Sequence, residues 1–246
     1  MQVEAGRDRS RTGRHGLVSR LLDTALEQVT AVGHVPELLD CGGGSGTYAV
    51  PLAVAGADVT VVDISADALA TLSLRAAEAG VADRIHPMPG DVETLGELLA
   101  GRRFDLVLAH GILEAVDDVA AAFAGIADRV RPGGLMSILV TNPAASVIAR
   151  ALAGEPTVAL AELDELTGVA ARVGPDAVQR LCEAAGLTLQ SRHGIGVFSD
   201  LVPGAALDQP GARDALDRLD ADAAGRSPFA EIAARVHLLV RRPGQQ

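Results

Sequence analysis

The residues able to do chemistry stand where short apolar runs end. Leu38-Leu39-Asp40 leads directly into Cys41-Gly42-Gly43-Gly44-Ser45-Gly46, an acid followed by a glycine-rich turn. Glycine tolerates positive φ and lets a ligand lie against bare backbone. A dinucleotide fingerprint needs G-x-G-x-x-G, with a pyrophosphate at the start of the next helix. Counted from Gly42, this chain reads G-x-G-x-G and has Thr47 in the place of the third glycine. Asp40 would repel a pyrophosphate, but its carboxylate can accept hydrogen bonds from donors at the cationic end of a ligand. The next run, Val59-Thr60-Val61-Val62, ends in Asp63, at the separation where one carboxylate takes the two hydroxyls of a ribose. Ser65 can cap the helix that follows, which leaves Asp63 for ligand. Gly90-Asp91-Val92 ends a third run, where an Asp can accept from an adenine amino group. Phe104–Ala109 then runs into His110-Gly111-Ile112-Leu113-Glu114. Together these residues suit a nucleoside carrying positive charge and disfavour a diphosphate.

Setting these run ends side by side requires parallel strands joined by right-handed helical crossovers. The spacing predicts helices near Leu17–Val32, Tyr48–Ala55, Ala66–Ala79, Leu95–Ala100 and Val119–Val130, with Arg131-Pro132-Gly133-Gly134 as a stop and turn before a fifth strand. After Asn142 the rhythm breaks into an Ala-rich, acidic helical insertion or lid over 143–173. It resumes with a helix over Pro175–Ala185, a strand over Leu187–Ser199, a helix over Ala212–Ala223 and a last strand from Val236. Two final strands joined by one long connection suit an antiparallel edge. The expectation is one α/β domain over 1–246, preceded by a mobile, Arg-rich arm over 1–16.

Bulk properties narrow the function. Hydrophobic residues at 48% and charged residues at 22% fit a globular chain, neither disordered nor membrane-embedded. Aromatics make up 2%, with Tyr48 the sole Tyr and no Trp, so base-stacking platforms are scarce, and a net charge of −11 repels phosphate backbones. All basic residues are Arg. Cys41 and Cys182 lack metal-ligand companions, so neither a disulfide framework nor a metal site is expected and a reducing cytoplasm fits. The polar start carries no apolar export segment, and no apolar run has membrane-spanning length.

Taken in order, D-x-G-x-G-x-G at Asp40–Gly46, Asp63, Gly90-Asp91, His110–Glu114 and Arg131–Gly134 resemble the class I S-adenosylmethionine (SAM)-dependent methyltransferases, over about residues 17 to 142. The resemblance implies a Rossmann-like seven-stranded sheet with an antiparallel C-terminal edge strand, SAM bound across the first strand ends, and S-adenosylhomocysteine (SAH) as product. Further stretches are similar to the bacterial tRNA 5-carboxymethoxyuridine methyltransferases, which methylate the carboxylate of a modified wobble uridine. These are Asn142 with Ala153-Gly154, Gly194–Asp200, Ser227-Pro228-Phe229 and Arg235-Val236-His237. The resemblance implies SAM contacts at Gly42, Gly43, Asp63, Asp91, Val92 and His110, with Arg14 reaching the SAM carboxylate; Asp40, Gly44 and Ile64 complete the expected set. Those tRNA enzymes carry a lysine run after the equivalent of Ala153-Gly154, where this chain has Glu155, Glu162, Asp164 and Glu165, which weighs against gripping an anticodon loop.

Methyl transfer is an in-line displacement that needs alignment and a dry cavity, with no protein nucleophile. A carboxylate acceptor is already ionised and needs an orienting Arg; Arg150, Arg172, Arg192 and Arg235 are candidates. A hydroxyl or amine would use a base among His110, Glu114, His193 and His237, although His110 is better read as a cofactor contact. His110, Arg150 and Arg235 therefore stand as the catalytic candidates. The leading expectation is methyl transfer to a carboxylate or other small polar acceptor. The alternatives are a tRNA wobble uridine and a SAM-binding protein without catalysis. The partners expected are a small molecule or tRNA, without membrane or metal, and the oligomeric state is left open.

Overall fold

The computed structural model describes residues 13–30, 34–166 and 173–244, with side chains from residue 16 onward. In chain order the elements are α1 (Gly13–Val29), β1 (Glu37–Cys41), α2 (Ala49–Val54), β2 (Asp58–Asp63), α3 (Ala66–Glu78), β3 (Ile85–Pro89), α4 (Leu95–Leu98) and β4 (Phe104–His110). There follow α5 (Val119–Ala127), β5 (Val130–Thr141), α6 (Pro143–Leu152), α7 (Pro156–Glu165), α8 (Pro175–Ala184), β6 (Thr188–Ile195), α9 (Ala212–Ala223) and β7 (Arg235–Arg241). The first four helical residues fall inside the stretch read from sequence as an arm. Glycines at 13 and 16 look like breakers, yet both lie within α1, and Gly16 is buried.

Seven strands form one sheet in the order β3-β2-β1-β4-β5-β7-β6. β1 pairs in parallel with β2 on one side and β4 on the other, β2 with β3, and β4 with β5. β1, β2, β4 and the later part of β5 are near-continuous buried apolar runs because helices cover both faces of such a sheet, whereas β3, Ile85–Pro89 at the edge, is largely exposed. The order reverses between β1 and β4, which opens a crevice outside their carboxyl ends. β7 runs against β5: Gly133 N donates to Arg242 O at 2.9 Å near one end, and Asn142 N to Ala234 O at 2.9 Å near the other.

The turn expected at Arg131–Gly134 is instead part of β5. Phe104 stands opposite Val130 and Leu106 opposite Leu135, so residues 131–134 bulge out of the ladder. Only glycine fits at 134, since a Cβ would lie 2.9 Å from the Asp105 carbonyl oxygen. Arg131, carried on the bulge, donates to both Asp105 oxygens at 2.8 and 2.9 Å and to Glu37 Oε2 at 3.0 Å. Burial alone would raise the Asp105 carboxyl. The Glu37 N–H, His34 Nε2 and Arg131 overcome it and hold the group below its ordinary range. This network ties β1, β4 and β5 together at the end away from the crevice.

The described residues fall into two compact units. The larger holds Leu22–Leu139, Gln179–Ser191 and the chain from Leu239. Its core is built around Phe104, Phe123, Leu38, Leu39, Leu72 and Leu106, all fully buried. Each such side chain contributes roughly 1.5–3 kcal/mol of burial, so the absence of Trp is no handicap.

The smaller unit holds the described part of Met1–Leu21, with Val140–Val178 and Arg192–Leu238. Asn142 accepts from Ala144 N to cap α6 and donates to Glu231 O and Ala233 O at 2.7 and 2.9 Å, which fastens the start of the helical insertion. Asp220 on α9 accepts from Phe198 N at 2.6 Å and Ser199 N at 3.3 Å, and Val197, Ala223 and Ala233 form a small apolar core.

Candidate functional site

A cleft of about 170 Å³ opens at the carboxyl ends of the strands of the larger unit. The turn after β1 supplies Gly42, and the end of β2 supplies Asp63 and Ile64. The turn after β3 supplies Gly90, Asp91, Val92 and Glu93, and the loop after β4 supplies Ile112, Ala115, Val116 and Asp117. No basic side chain is among these lining residues, whereas four carboxylates are.

The glycine turn is shaped by its neighbours. Gly42, with φ of 70°, donates to Val62 O at 2.7 Å, and a Cβ there would lie 2.8 Å from Ile112 Cδ1. Gly44 N donates to Asp63 Oδ2 at 2.9 Å, and Ser65 N to Asp63 Oδ1 at 2.8 Å. Ser65 caps α3 through Ala68 N, the role expected of it. Asp63 therefore orders both turns while each of its oxygens retains a lone pair for a ligand hydroxyl. Leu72, on the buried Leu69-Leu72-Ala76 stripe of α3, packs where a Cβ on Gly46 would fall. Arg75 Nη1 donates to Ser45 O at 2.9 Å and braces the turn from outside.

Asp40 lies behind this turn and does not line the cleft. Its side chain is 2% exposed, and its Oδ2 is buried without a hydrogen-bond partner. A Cβ on Gly43 would sit 2.5 Å from that oxygen, so only bare backbone fits there. Burial, and secondarily the negative Asp63, push the Asp40 carboxyl up to about 7.

Across the cleft, Asp91 Oδ1 accepts from Glu93 N at 2.9 Å, and Glu93 Oε1 accepts from Asp117 N at 3.2 Å, tying the loops after β3 and β4 together. Ile64 is 79% exposed, an unusual state for isoleucine, and it shares the cleft with Ile112. Apolar walls with acceptors at their edges suit a flat base, and Asp63 suits a ribose. The acidic rim opposes phosphate.

Of the expected cofactor set, the cleft brings together Gly42, Asp63, Ile64, Asp91 and Val92. Gly43 and Gly44 belong to the same turn without lining it. His110 ends β4 beside the cleft, its Nε2 2.8 Å from Ser137 Oγ and its ring edge-on to Tyr48 at 5.0 Å. Arg14 falls in the first turn of α1, but its side chain lies outside the described residues, as do Arg7, Arg9, Arg11 and Arg172 entirely. Arg150 and Arg235 belong to the smaller unit. Arg150 is held by Glu162 at 3.1 Å and Glu155 at 3.0 Å, and Arg235 is exposed at the start of β7. Arg192 pairs with Asp176 at 2.8 Å. His193 stands 6.4 Å from the buried His237, ring centre to ring centre, and burial pushes its pKa down. Sequence reasoning missed Glu93, Ala115, Val116 and Asp117. Their one signal was position just beyond the ends of β3 and β4.

Residues 39–138 match the methyltransferase domain family, a span that contains the glycine turn, Asp40, Asp63, Asp91 and His110. That match spans less than half of the chain. The chain is 36% identical over 117 residues to the ubiquinone biosynthesis O-methyltransferase of Azorhizobium caulinodans, covering 48% of this chain and 45% of that protein. It is 27% identical over 214 residues to the tRNA 5-carboxymethoxyuridine methyltransferase of Escherichia coli O157:H7, covering 84% and 80%. The chain thus spans about half the length of the first relative and most of the second. The crystal structure of the N-methyltransferase NodS from Bradyrhizobium japonicum, in complex with SAH, shares the fold with a TM-score of 0.56 at 16% identity, covering 92% of this chain and 85% of that one. Among the described residues no group of three or more His, Cys, Asp or Glu could hold a metal ion, and no helix is long and apolar enough to cross a membrane.

Proposed function

We propose that the protein transfers the methyl group of SAM to a small polar acceptor, with a carboxylate as the leading case. The observation that carries this reading is the cleft itself. Gly42 and Gly43 leave backbone bare where a Cβ would intrude, Asp63 offers acceptors for a ribose, Ile64 and Ile112 offer apolar walls, and Asp40 is a buried carboxyl lacking a partner. When bound, SAM supplies a methyl group on a positively charged sulfur. The chain supplies alignment: Asp63 fixes the sugar, the isoleucines flank the base, Asp91 reads its amino edge, and the glycine turn admits the amino-acid end. Asp40 provides negative charge on the buried side of that turn. His110, with Nε2 committed to Ser137 and its ring against Tyr48, acts as an oriented contact in preference to a mobile base. A carboxylate acceptor, ionised at neutral pH, needs none.

The acceptor class follows from charge. Arg150, the candidate cation among the described residues of the helical insertion, is paired with Glu155 and Glu162, and Asp164 and Glu165 are exposed on α7. Such a surface repels a phosphate backbone. The second reading, methylation of a tRNA wobble uridine, is favoured by the alignment that covers 84% of this chain and 80% of the tRNA enzyme. Incubation with methyl-labelled SAM and either total tRNA or a small-molecule extract separates the two. Label is expected in the small-molecule fraction. Label in tRNA alone would establish the second reading, and label in neither would refute methyl transfer.

A further inference from the structure

Asp40 poses a problem that the cofactor contacts do not resolve. A carboxylate with a buried, unpartnered oxygen is costly, so the group needs either a proton or a nearby cation. The charged and titratable groups around it are unhelpful. β2 brings Asp63, which repels it, and β1 brings the buried Cys41 thiol, itself pushed up by burial and by Asp40. The neighbours in register, Val61 on β2 and Leu108 on β4, are apolar. Arg75 on α3 is turned to Ser45, and His110 at the end of β4 is turned to Ser137. The glycine turn stands between the two: a Cβ on Gly43 would touch the Asp40 carboxyl, and Gly42 next to it lines the cleft.

We infer that Asp40 couples cofactor binding to proton release: it is protonated in the free protein and becomes a carboxylate when a cation is seated against the glycine turn. The O–H bond of the Asp40 carboxyl breaks, the proton passes to solvent, and the negative charge left behind faces the ligand's positive charge across the glycine turn. Burial together with Asp63 places this change within the neutral range. SAM brings two cationic groups, a sulfonium and an ammonium. SAH retains only the ammonium, and 5′-methylthioadenosine has neither. The coupling therefore makes the site a sensor of ligand charge, and it favours the charged cofactor more strongly as pH rises.

The inference rests on SAM as ligand, and calorimetry separates the failure of either idea. Binding heats are measured at pH 6 in two buffers of different ionisation enthalpy. There the ammonium of SAM is already fully protonated, so any proton released comes from the protein. With SAM the protein should release roughly half a proton to nearly a whole one, and the Asp40→Asn protein close to none. Across pH 6 to 8, wild-type affinity for SAM should rise about tenfold through this group, a rise absent from Asp40→Asn. Release with SAM and SAH alike assigns the ammonium as the sensed cation, and release with SAM alone assigns the sulfonium. Methylthioadenosine should release none. SAM binding without proton release at pH 6 overturns the inference. Absence of SAM binding overturns the cofactor reading instead. The wild-type measurement decides even where the variant does not fold.

Discussion

Replacing Asp40 by Asn should change how stability depends on pH, by an amount the structure sets. The folded carboxyl is pushed from an ordinary 3.8 up to about 7, so between those values the folded chain holds a proton that the unfolded chain has lost. Stability from this group is therefore complete below about pH 3.8, declines as pH rises through the interval, and is gone above about 7. Over the whole interval this amounts to about 4 kcal/mol, and between pH 5.5 and 8 to about 2 kcal/mol. For a chain of this size that is a fall in Tm of about 4–8 °C across the narrower window. His193, which burial pushes down, works with the opposite sign: its folded form resists protonation, so it adds stability as pH rises through its range. That contribution is common to both proteins and cancels in the difference between them. The assay is thermal unfolding followed by far-ultraviolet circular dichroism from pH 5.5 to 8, without cofactor. Wild type should lose Tm toward pH 8 relative to Asp40→Asn, whatever constant offset the amide introduces. Profiles that run parallel within about 1 °C, well inside the expected window, would refute a buried carboxyl of raised pKa.

Three further substitutions test the site and its scaffold. Gly43→Ala places a Cβ 2.5 Å from the Asp40 carboxyl and 2.8 Å from Val61 Cγ1; it should cost about 1–3 kcal/mol of stability by thermal melt and weaken SAM binding by calorimetry. Asp63→Ala removes both the acceptor proposed for the ribose and the anchor of Gly44 N, so SAM affinity should fall about 10- to 100-fold, as expected for charge-assisted hydrogen bonds, and an unchanged Kd would exclude Asp63 from the contact. Arg131→Ala leaves Asp105 with only the Glu37 N–H and His34 as donors; it should cost about 1–3 kcal/mol in chemical denaturation yet leave the Kd for SAM unchanged, because the network lies at the far end of the strands.

The parallel core was legible because each strand announced itself twice, once as an apolar run and once by the acid or glycine that stopped it. Asp63 and Asp91 could be placed at strand ends from sequence because open α/β sheets put their sites there. Arg131–Gly134 misled for a physical reason. Pro and paired glycines read locally as a turn, but the residues that decide otherwise, Asp105, Glu37 and the partner at Arg242, are distant in sequence and are visible only when the strands are paired. Glu93 and Asp117 were invisible likewise, since their one distinguishing act is to bond each other's loops. Asp40 is the instructive case. Sequence gave its type and its place before the glycines, and from these follow a negative charge and a hostility to diphosphate. Burial, however, is a property of depth in the sheet, with Val61 on one side and Leu108 on the other in register. An acid read from sequence as an acceptor for a ligand's cationic end becomes, once buried, a group whose charge is proposed to depend on what occupies the cleft. Its contribution to affinity is then set by the proton it must first give up.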